Sequence, residues 1–199
     1  MRLADRLLTI VVTATLTSAA WIVVGGGWLT EQYGGGTSVA STDGARRPMA
    51  MQGGWVIPVQ GVVATDLSDT FTDPRGEEGE EERTHQALDI MAPAGTPVQA
   101  AAAGRVEKLF TSRAGGLTIY IRSADGRMLH YYAHLQSYAP GLAEGQQVQA
   151  GQVVGTVGAT GNADAAAPHL HFAVLRTTPD SEWWEPARAI NPYPLLGGG

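Results

Sequence analysis

Two stretches with the same layout decide the fold, GTPVQAAAAGRV at residues 95–106 and EGQQVQAGQVVGTV at residues 144–157. In each of them Gly, Val and small residues alternate around a tight reversal, which is typical of short strands joined by a turn. We expect two related β-hairpin elements that pack across a small antiparallel β-sandwich or open barrel.

Further strand signals surround these two elements. Short runs rich in Val, Ile, Leu and aromatic residues are separated by Gly-bearing turns, and no amphipathic helix of ten residues interrupts them. A hairpin turn is predicted at residues 124–126. The candidate strands are residues 104–110, 117–122, 128–134, 152–158 and 169–176. The folded domain is therefore expected to be all-β and to cover residues 55–196.

The composition limits the classes of function. The 199 residues include 13 Lys and Arg against 19 Asp and Glu, a net charge of -6. Because most of the acidic excess follows residue 53, the folded domain is a poor binder of nucleic acid, and no nucleic-acid partner is expected. The chain has no Cys, which excludes disulfides, thiolate zinc sites and a Cys nucleophile. Any metal ion must be held by His and carboxylate groups.

The N-terminal region predicts attachment to a membrane. Residues 7–29 contain no charged side chain, and a helix of this length can cross a hydrocarbon core of about 30 Å. Arg2 and Arg6 precede it, which favours a cytoplasmic N-terminus. We expect residues 1–29 to be an inner-membrane anchor with a transmembrane helix, which places the domain in the periplasm or extracytoplasmic space. Secretion after cleavage of a signal peptide near residues 18–20 is the alternative.

Two segments are predicted to lack regular structure. Residues 30–54 show no hydrophobic periodicity and are rich in Gly, Ser and Thr, so we expect a flexible linker. The run GEEGEEE at residues 76–82 cannot be buried and is expected to be a solvated loop. It lies just before the first histidine, where its charge would influence the choice of substrate if it lined a groove.

The histidines are the candidate functional residues. All five lie between residues 85 and 171. His85 and Asp89 are four residues apart, and His169 and His171 are two apart, so on strands each pair would face one side. Two imidazoles and one carboxylate from these four groups could hold a metal ion with a position left for water, and the fourth group would act as a base.

Each of these spacings also has an ordinary explanation. HxH and HxxxD occur by chance, and a single strand histidine, such as His130 or His134, is usually a surface or hydrogen-bonded residue. The metal hypothesis depends on the coincidence of both spacings in one small β domain that has no Cys.

At these residues the chain resembles the M23 family of zinc metallopeptidases, also called the LytM or lysostaphin-type domain. The resemblance covers residues 71–195 and implies an antiparallel β fold with the active site in a groove. It further implies that zinc is the cofactor and that the substrate is the peptide part of bacterial peptidoglycan. The matching segments are RTHQALDIMAPAGTPVQAAAAGRV, YYAHL, EGQQVQAGQVVGTVGATGN, PHLHFAV and AINPYPLL.

The resemblance also implies roles for single residues. His85, Asp89 and His171 correspond to the zinc ligands, His169 to the general base, and His134 to a second catalytic histidine that stabilises the transition state. One departure concerns the HxGxD pattern of the family, in which this chain has Ala87 instead of Gly. A glycine that needed a positive φ would resist this change.

Several alternatives remain open at this point. Some LytM-type domains are non-catalytic regulators or scaffolds of cell-wall hydrolases, and a regulatory or envelope-machine protein could partner either kind of domain. The residues 144–157 also resemble hairpins of biotinyl and lipoyl carriers, but the surroundings of Lys108, the only lysine, do not match a carrier site. A non-haem iron site with two His and one carboxylate would usually have an HxD spacing, which is absent.

Overall fold

The computed structural model describes residues 54–75 and 83–197. Over these ranges the chain forms eleven strands and two 3₁₀ turns, Ala64–Asp66 and Pro194–Leu196. The strands are β1 (Pro74–Arg75), β2 (Arg83–Thr84), β3 (Leu88–Met91), β4 (Pro97–Gln99), β5 (Gly104–Ser112), β6 (Gly116–Ser123), β7 (Met128–Tyr138), β8 (Gln147–Val148), β9 (Val153–Val157), β10 (His169–Arg176) and β11 (Arg188–Ile190).

Three sequence predictions fall outside this part of the chain. The expected anchor (1–29), nearly all of the expected linker (30–53) and the acidic run (76–82) are not among the described residues. Among the residues that are described, none belongs to a helix long and apolar enough to span a membrane.

Nine strands form one antiparallel sheet, and the prediction of an all-β domain is confirmed. The main path of the sheet is β11-β10-β7-β6-β5-β8, with β3 beside β10, β9 beside β7, and β4 beside β9. The short strands β1 and β2 pair only with each other. All five predicted strands are present, as β5, β6, β7, β9 and β10. The predicted turn at residues 124–126 joins β6 to β7, with Gly126 at φ 73°.

The two similar stretches pair differently from the prediction. Within each stretch the two strands do not form a hairpin; instead β4 of the first pairs with β9 of the second, and β5 of the first pairs with β8 of the second. The reversals between the strands also bond to each other, since Ala100 N donates to Gln152 O and Gly151 N to Ala100 O, both at 2.8 Å. The prediction of two separate hairpins is therefore wrong, because the two elements satisfy each other's backbone groups.

One hydrophobic core lies beneath the sheet and determines which residues of β10 face outward. Leu170 and Phe172 are fully buried, whereas His169 and His171, which alternate with them, are partly exposed. The alternation predicted for this strand is thus observed. In the core, the hydroxyl of Tyr132 accepts a hydrogen bond of 2.8 Å from Ala101 N, which ties β7 to the loop after β4.

His130 lies in the core, away from the other histidines. Its side chain is fully buried beside Trp55, with ring centroids 4.9 Å apart, and neither ring nitrogen has a hydrogen-bond partner among the described residues. Burial lowers the pKa of His130 to about 4, an effect that the charge of Asp125 partly offsets. A neutral, uncharged imidazole is therefore the form that the folded domain accommodates.

We expect His130 to make the domain sensitive to acid. Its pKa is lower in the folded chain than in the unfolded chain, so between about pH 6.5 and pH 4 the unfolded chain binds more protons and stability falls with falling pH. The loss attributable to His130 amounts to about 3 kcal/mol at pH 4. Urea unfolding of the wild type and of His130→Phe at a series of pH values measures it. Parallel pH curves for the two proteins would contradict this expectation.

Candidate metal centre

Three side chains from different parts of the fold converge on one point. Asp89 in β3 lies directly opposite His171 in β10, and His85 lies in the loop between β2 and β3. His85 Nε2 is 2.9 Å from Asp89 Oδ1 and 3.0 Å from His171 Nδ1, and His171 Nδ1 is 3.1 Å from Asp89 Oδ1. The three groups form a set that could hold a metal ion.

Main-chain carbonyl groups orient three of the imidazoles. Nδ1 of His85 lies 2.9 Å from Thr70 O, Nδ1 of His134 lies 2.8 Å from Thr160 O, and Nδ1 of His169 lies 2.9 Å from Ala167 O. Because a carbonyl oxygen only accepts, each Nδ1 must carry the hydrogen. The neutral form of each ring therefore presents the lone pair of Nε2. This is the arrangement that supports metal-binding and proton-accepting histidines.

The ligand atoms fit a cation such as zinc. His85 Nε2 and Asp89 Oδ1 are both acceptors, so they cannot hydrogen-bond to each other, yet they lie 2.9 Å apart. A tetrahedral zinc ion with bonds of about 2.0–2.1 Å would hold its ligands about 3.3 Å apart. The observed triangle is only slightly smaller. Two imidazoles and one carboxylate leave one tetrahedral position for water or substrate.

The carboxyl group of Asp89 is held in its charged form. Burial would raise its pKa, but the neighbouring imidazoles of His171 and His85 outweigh burial and hold the pKa well below its usual range. The guanidinium of Arg75 in β1 pairs with the other oxygen, Oδ2. Oδ1 is therefore left to face the two histidines, and Asp89 is available as an anionic ligand.

The remaining two histidines border the same point. The rings of His134 and His169 lie 5.0 Å apart, and the ring of His134 lies 5.6 Å from that of His171. His169 Nε2 is 3.8 Å from Asp89 Oδ1. Burial lowers the pKa of His134, which favours its neutral form. All four predicted histidines and Asp89 are thus brought together, and His130 is the one histidine that lies elsewhere.

An irregularity in β7 places His134 in the site. In a regular strand His134 would share the inward face of His130 and Tyr132. The register against β6 instead shifts between the pairs Ile119–Tyr132 and Leu117–Leu135, which leaves one extra residue in β7. His134 has a left-handed backbone, with φ 61°. Bulges of this kind redirect side chains beside active sites.

These groups line an open cavity of about 480 Å³. Its walls also include Arg75 and Thr84 from the β1–β2 hairpin and residues 162–164 from the loop before β10. The acidic run at residues 76–82 connects β1 to β2 in the sequence, and each of these two strands contributes one residue to the wall.

Comparison with known families identifies this arrangement. The model of peptidase family M23 matches residues 83–185, which include all five groups of the site. The chain belongs to peptidase family M23.

Relatives of this M23 domain are endopeptidases by name. The L-Ala–D-Glu endopeptidase of Bacillus subtilis is 38% identical over 141 residues, which cover 67% of this chain and 41% of that protein. The peptidoglycan DD-endopeptidase ShyC of Vibrio cholerae is 38% identical over 47% of this chain and 20% of that protein. The chain thus spans less than half the length of these curated relatives.

A solved structure has a similar fold. The catalytic domain of the antimicrobial peptidase lysostaphin from Staphylococcus simulans aligns with a TM-score of 0.53 and 28% identity. The alignment covers 68% of this chain and 96% of that domain. The likeness thus covers nearly the whole lysostaphin domain.

The M23 site reaches its geometry without the glycine expected at position 87. The positive φ falls on Gln86, at 57°, and Ala87 is not among the non-glycine residues with positive φ. Ala87 is fully buried, so its methyl group packs in the core. His85 and Asp89 do not lie on one strand as predicted, because the turn at Gln86 separates them. Their side chains nevertheless meet.

The side chains that support His134 were not predicted from the sequence. Thr160 Oγ1 donates to Leu135 O at 2.8 Å and accepts from Leu117 N at 2.9 Å, which holds the Thr160 carbonyl against His134. A side chain on Gly116 would collide with Thr160, so the close approach requires glycine. Arg75 was also missed, since a two-residue strand gives no periodic signal. The sequence signal that could have pointed to Thr160 was the TGN segment at residues 160–162, which precedes the PHLHF motif.

We expect Thr160→Val to impair the M23 site through His134. Valine has the same shape but leaves Leu117 N and Leu135 O without their partner, which costs about 1–3 kcal/mol of stability. With His134 less firmly held, kcat is expected to fall about tenfold while zinc content is unchanged. Thr160→Ser keeps the hydroxyl and is the matched control. Equal losses in Thr160→Ser and Thr160→Val would show that the hydroxyl has no such role.

Proposed function

We propose that this domain is a zinc-dependent endopeptidase that hydrolyses peptide cross-links of bacterial peptidoglycan. The observation that carries the proposal is the convergence of His85 Nε2, Asp89 Oδ1 and His171 Nδ1 within 3.1 Å of one another. Two further imidazoles face the same point. Family membership supports peptide-bond hydrolysis as the chemistry.

The residues of the site have complementary tasks in this proposal. Zinc, held by His85, Asp89 and His171, would supply a Lewis acid that lowers the pKa of water to about 7. His169 Nε2 accepts a proton from the attacking water and returns it to the leaving amine. His134 is neutral at rest because burial lowers its pKa. The negative charge that develops on the carbonyl oxygen favours its protonated form, which donates from Nε2 to that oxygen.

The complete set of groups supports catalysis over a regulatory role. A non-catalytic regulator or scaffold would not need five convergent groups, three of them with their tautomers set by carbonyl acceptors. This alternative predicts a domain that binds its partner hydrolase equally well when His171 is replaced.

The relatives' names offer two candidate bonds. One is the D,D cross-link, as in the name of the Vibrio cholerae relative, and the other is the L-Ala–D-Glu bond within the stem, as in the name of the Bacillus subtilis relative. We favour the D,D cross-link, because the proposed substrate is a cross-link and the L-Ala–D-Glu bond lies within a single stem. The stem bond is kept as the second candidate, because the match that carries its name covers more of this chain.

The proposed location follows from the first 29 residues. The uncharged run 7–29 with Arg2 and Arg6 before it supports an inner-membrane anchor, with the domain on the periplasmic or extracytoplasmic side. This compartment contains the proposed substrate. An envelope-machine or regulatory protein that controls the domain at the membrane is part of the same proposal.

Metal analysis combined with digestion of purified peptidoglycan tests the function. We expect about one zinc ion per chain, release of soluble fragments, and loss of both in His171→Ala. Mass analysis of the fragments distinguishes the two candidate bonds, because cleavage at L-Ala–D-Glu leaves L-Ala on the glycan. A wild-type protein that binds no zinc at neutral pH would refute the proposal.

A further inference from the structure

A row of five aromatic side chains extends from the metal centre across the outer face of the sheet. We define the aromatic row as Tyr131, Tyr120, Trp183, Trp184 and Phe110. Its first member, in β7, has its ring centroid 6.0 Å from that of His171. Each following ring lies close to the one before it: the centroids of Tyr131 and Tyr120 are 4.7 Å apart, and those of Tyr120 and Trp183 are 5.0 Å apart. Trp183 in turn lies 5.5 Å from Trp184 and 5.2 Å from Phe110. The row is therefore continuous with the candidate active site.

The outer end of the row is open to solvent. Trp184 is 63% exposed and Phe110 is 40% exposed. Large exposed apolar side chains that form a contiguous surface usually mark a binding site. The inner members, Tyr120 and Tyr131, are half-buried, and burial raises the pKa of both phenols, so they remain neutral.

A buried arginine anchors the loop that carries the two tryptophans. Trp183 and Trp184 lie in the loop between β10 and β11. Arg122, which is 6% exposed, donates to Thr178 O at 3.1 Å and to Ser181 O at 2.8 Å in that loop. It is itself paired with Glu107 through Nε, at 3.2 Å. The surface is thus formed before a ligand arrives, which reduces the entropy lost on binding.

The chemistry of the row selects a neutral ligand with a flat C–H surface. None of its members is charged, and the exposed carboxylates Glu182 and Glu185 flank the tryptophans. Stem peptides of peptidoglycan carry carboxylates and small alanine methyl groups, which suit this surface poorly. The pyranose rings of the glycan strand present flat C–H faces, and the electron-rich faces of indole and phenol rings attract such hydrogens.

The length of the row also fits the covalent structure of the substrate. Three to four extended residues span about 10–14 Å, which covers the steps of 6.0 Å from His171 to Tyr131 and 4.7 Å from Tyr131 to Tyr120. The ring of Trp183 lies 5.0 Å beyond Tyr120. A stem peptide with its scissile bond at the metal centre would therefore bring its sugar to the outer part of the row.

We propose that the aromatic row is a saccharide-binding subsite that stacks pyranose rings of the glycan strand on Trp183 and Trp184. The proposal rests on the proposed function, because it takes peptidoglycan as the substrate. With this subsite, the enzyme would hydrolyse a cross-linked peptide that is attached to glycan more efficiently than the same peptide without its sugars.

The first test measures binding without catalysis. The zinc-loaded protein is titrated with tetra-N-acetylchitotetraose while the indole N–H signals are followed by NMR. We expect shifts at Trp183 and Trp184, assigned through their Phe variants, and none at the buried Trp55. Absence of a shift at Trp184 at millimolar saccharide would overturn the proposal.

The second test compares two substrates. Cross-linked muropeptide dimers are used with their sugars and after an amidase has removed them. For Trp184→Ala, kcat/KM is expected to fall about tenfold on the glycan-bearing substrate and to be unchanged on the free peptide, since only sugar stacking is lost. Trp184→Phe is expected to retain most of the activity. Val63→Ala, at another exposed apolar position (54%), is the control.

The two proposals fail in different ways. If Trp184→Ala affects both substrates equally, the saccharide subsite is refuted while the endopeptidase stands. If the wild type cleaves neither substrate, the proposed function is refuted, and the subsite is then judged by the titration, in which a shift supports it and no shift overturns it.

Discussion

Asp89→Asn is expected to reduce zinc content from about one ion per chain to nearly none and to lower kcat/KM at least about a thousandfold. The amide removes the negative charge at the oxygen that lies 2.9 Å from His85 and 3.1 Å from His171. Two neutral imidazoles then remain, fewer than the three protein ligands of catalytic zinc sites. Plasma mass spectrometry after dialysis against buffer without zinc measures the ion.

Asp164→Asn is the matched control for this prediction. Asp164 lines the same cavity but is not one of the three convergent groups. It accepts a hydrogen bond from Ala166 N, which the oxygen of asparagine can also accept. We expect its zinc content to equal that of the wild type. Full zinc content in Asp89→Asn would exclude Asp89 as a ligand.

His169→Ala is expected to lower kcat by about a hundredfold to ten-thousandfold while zinc remains bound. The range is that of a positioned general base. His169 Nε2 is 3.8 Å from Asp89 Oδ1, farther than the atoms of the convergent set, so its loss removes a proton acceptor and no ligand. Single-turnover hydrolysis of a cross-linked peptide, with zinc measured on the same sample, separates these two effects.

The same experiment on His134→Ala tests the second catalytic position. We expect zinc retention and a loss of kcat with little change in KM, because the interaction forms mainly in the transition state. Loss of zinc in His169→Ala or His134→Ala would contradict the division between ligands and catalytic residues. An unchanged kcat would remove that residue from the mechanism.

The parts of the fold that alternate regularly were predictable from the sequence. β10 begins and ends where the pattern of HLHFAVLR predicts, and its two histidines face outward together. The pairing of β4 with β9 was not predictable, because a local pattern specifies strands but not their partners. The strands of two similar stretches can pair within each stretch or between the stretches, and the packing of the whole core determines which pairing forms.

In the candidate site, too, some features could be predicted from the sequence and others could not. The spacing of His169 and His171 followed strand geometry, whereas the convergence of His85 on Asp89 depends on the left-handed turn at Gln86. His134 violates the alternation of its own strand, so periodicity alone would have placed it in the core. The resemblance to a known family assigned it to the site. No local rule predicts a bulge, since its cost is offset by contacts that are distant in sequence.

The hydrogen bonds that orient three of the histidines have an evolutionary consequence. Their acceptors are main-chain carbonyl groups, which no point mutation deletes. Side chains in the loops that contribute them can therefore diversify, except where a side chain itself fixes the path of the backbone, as the hydroxyl of Thr160 does. One set of oriented imidazoles can then persist while the surface around it changes.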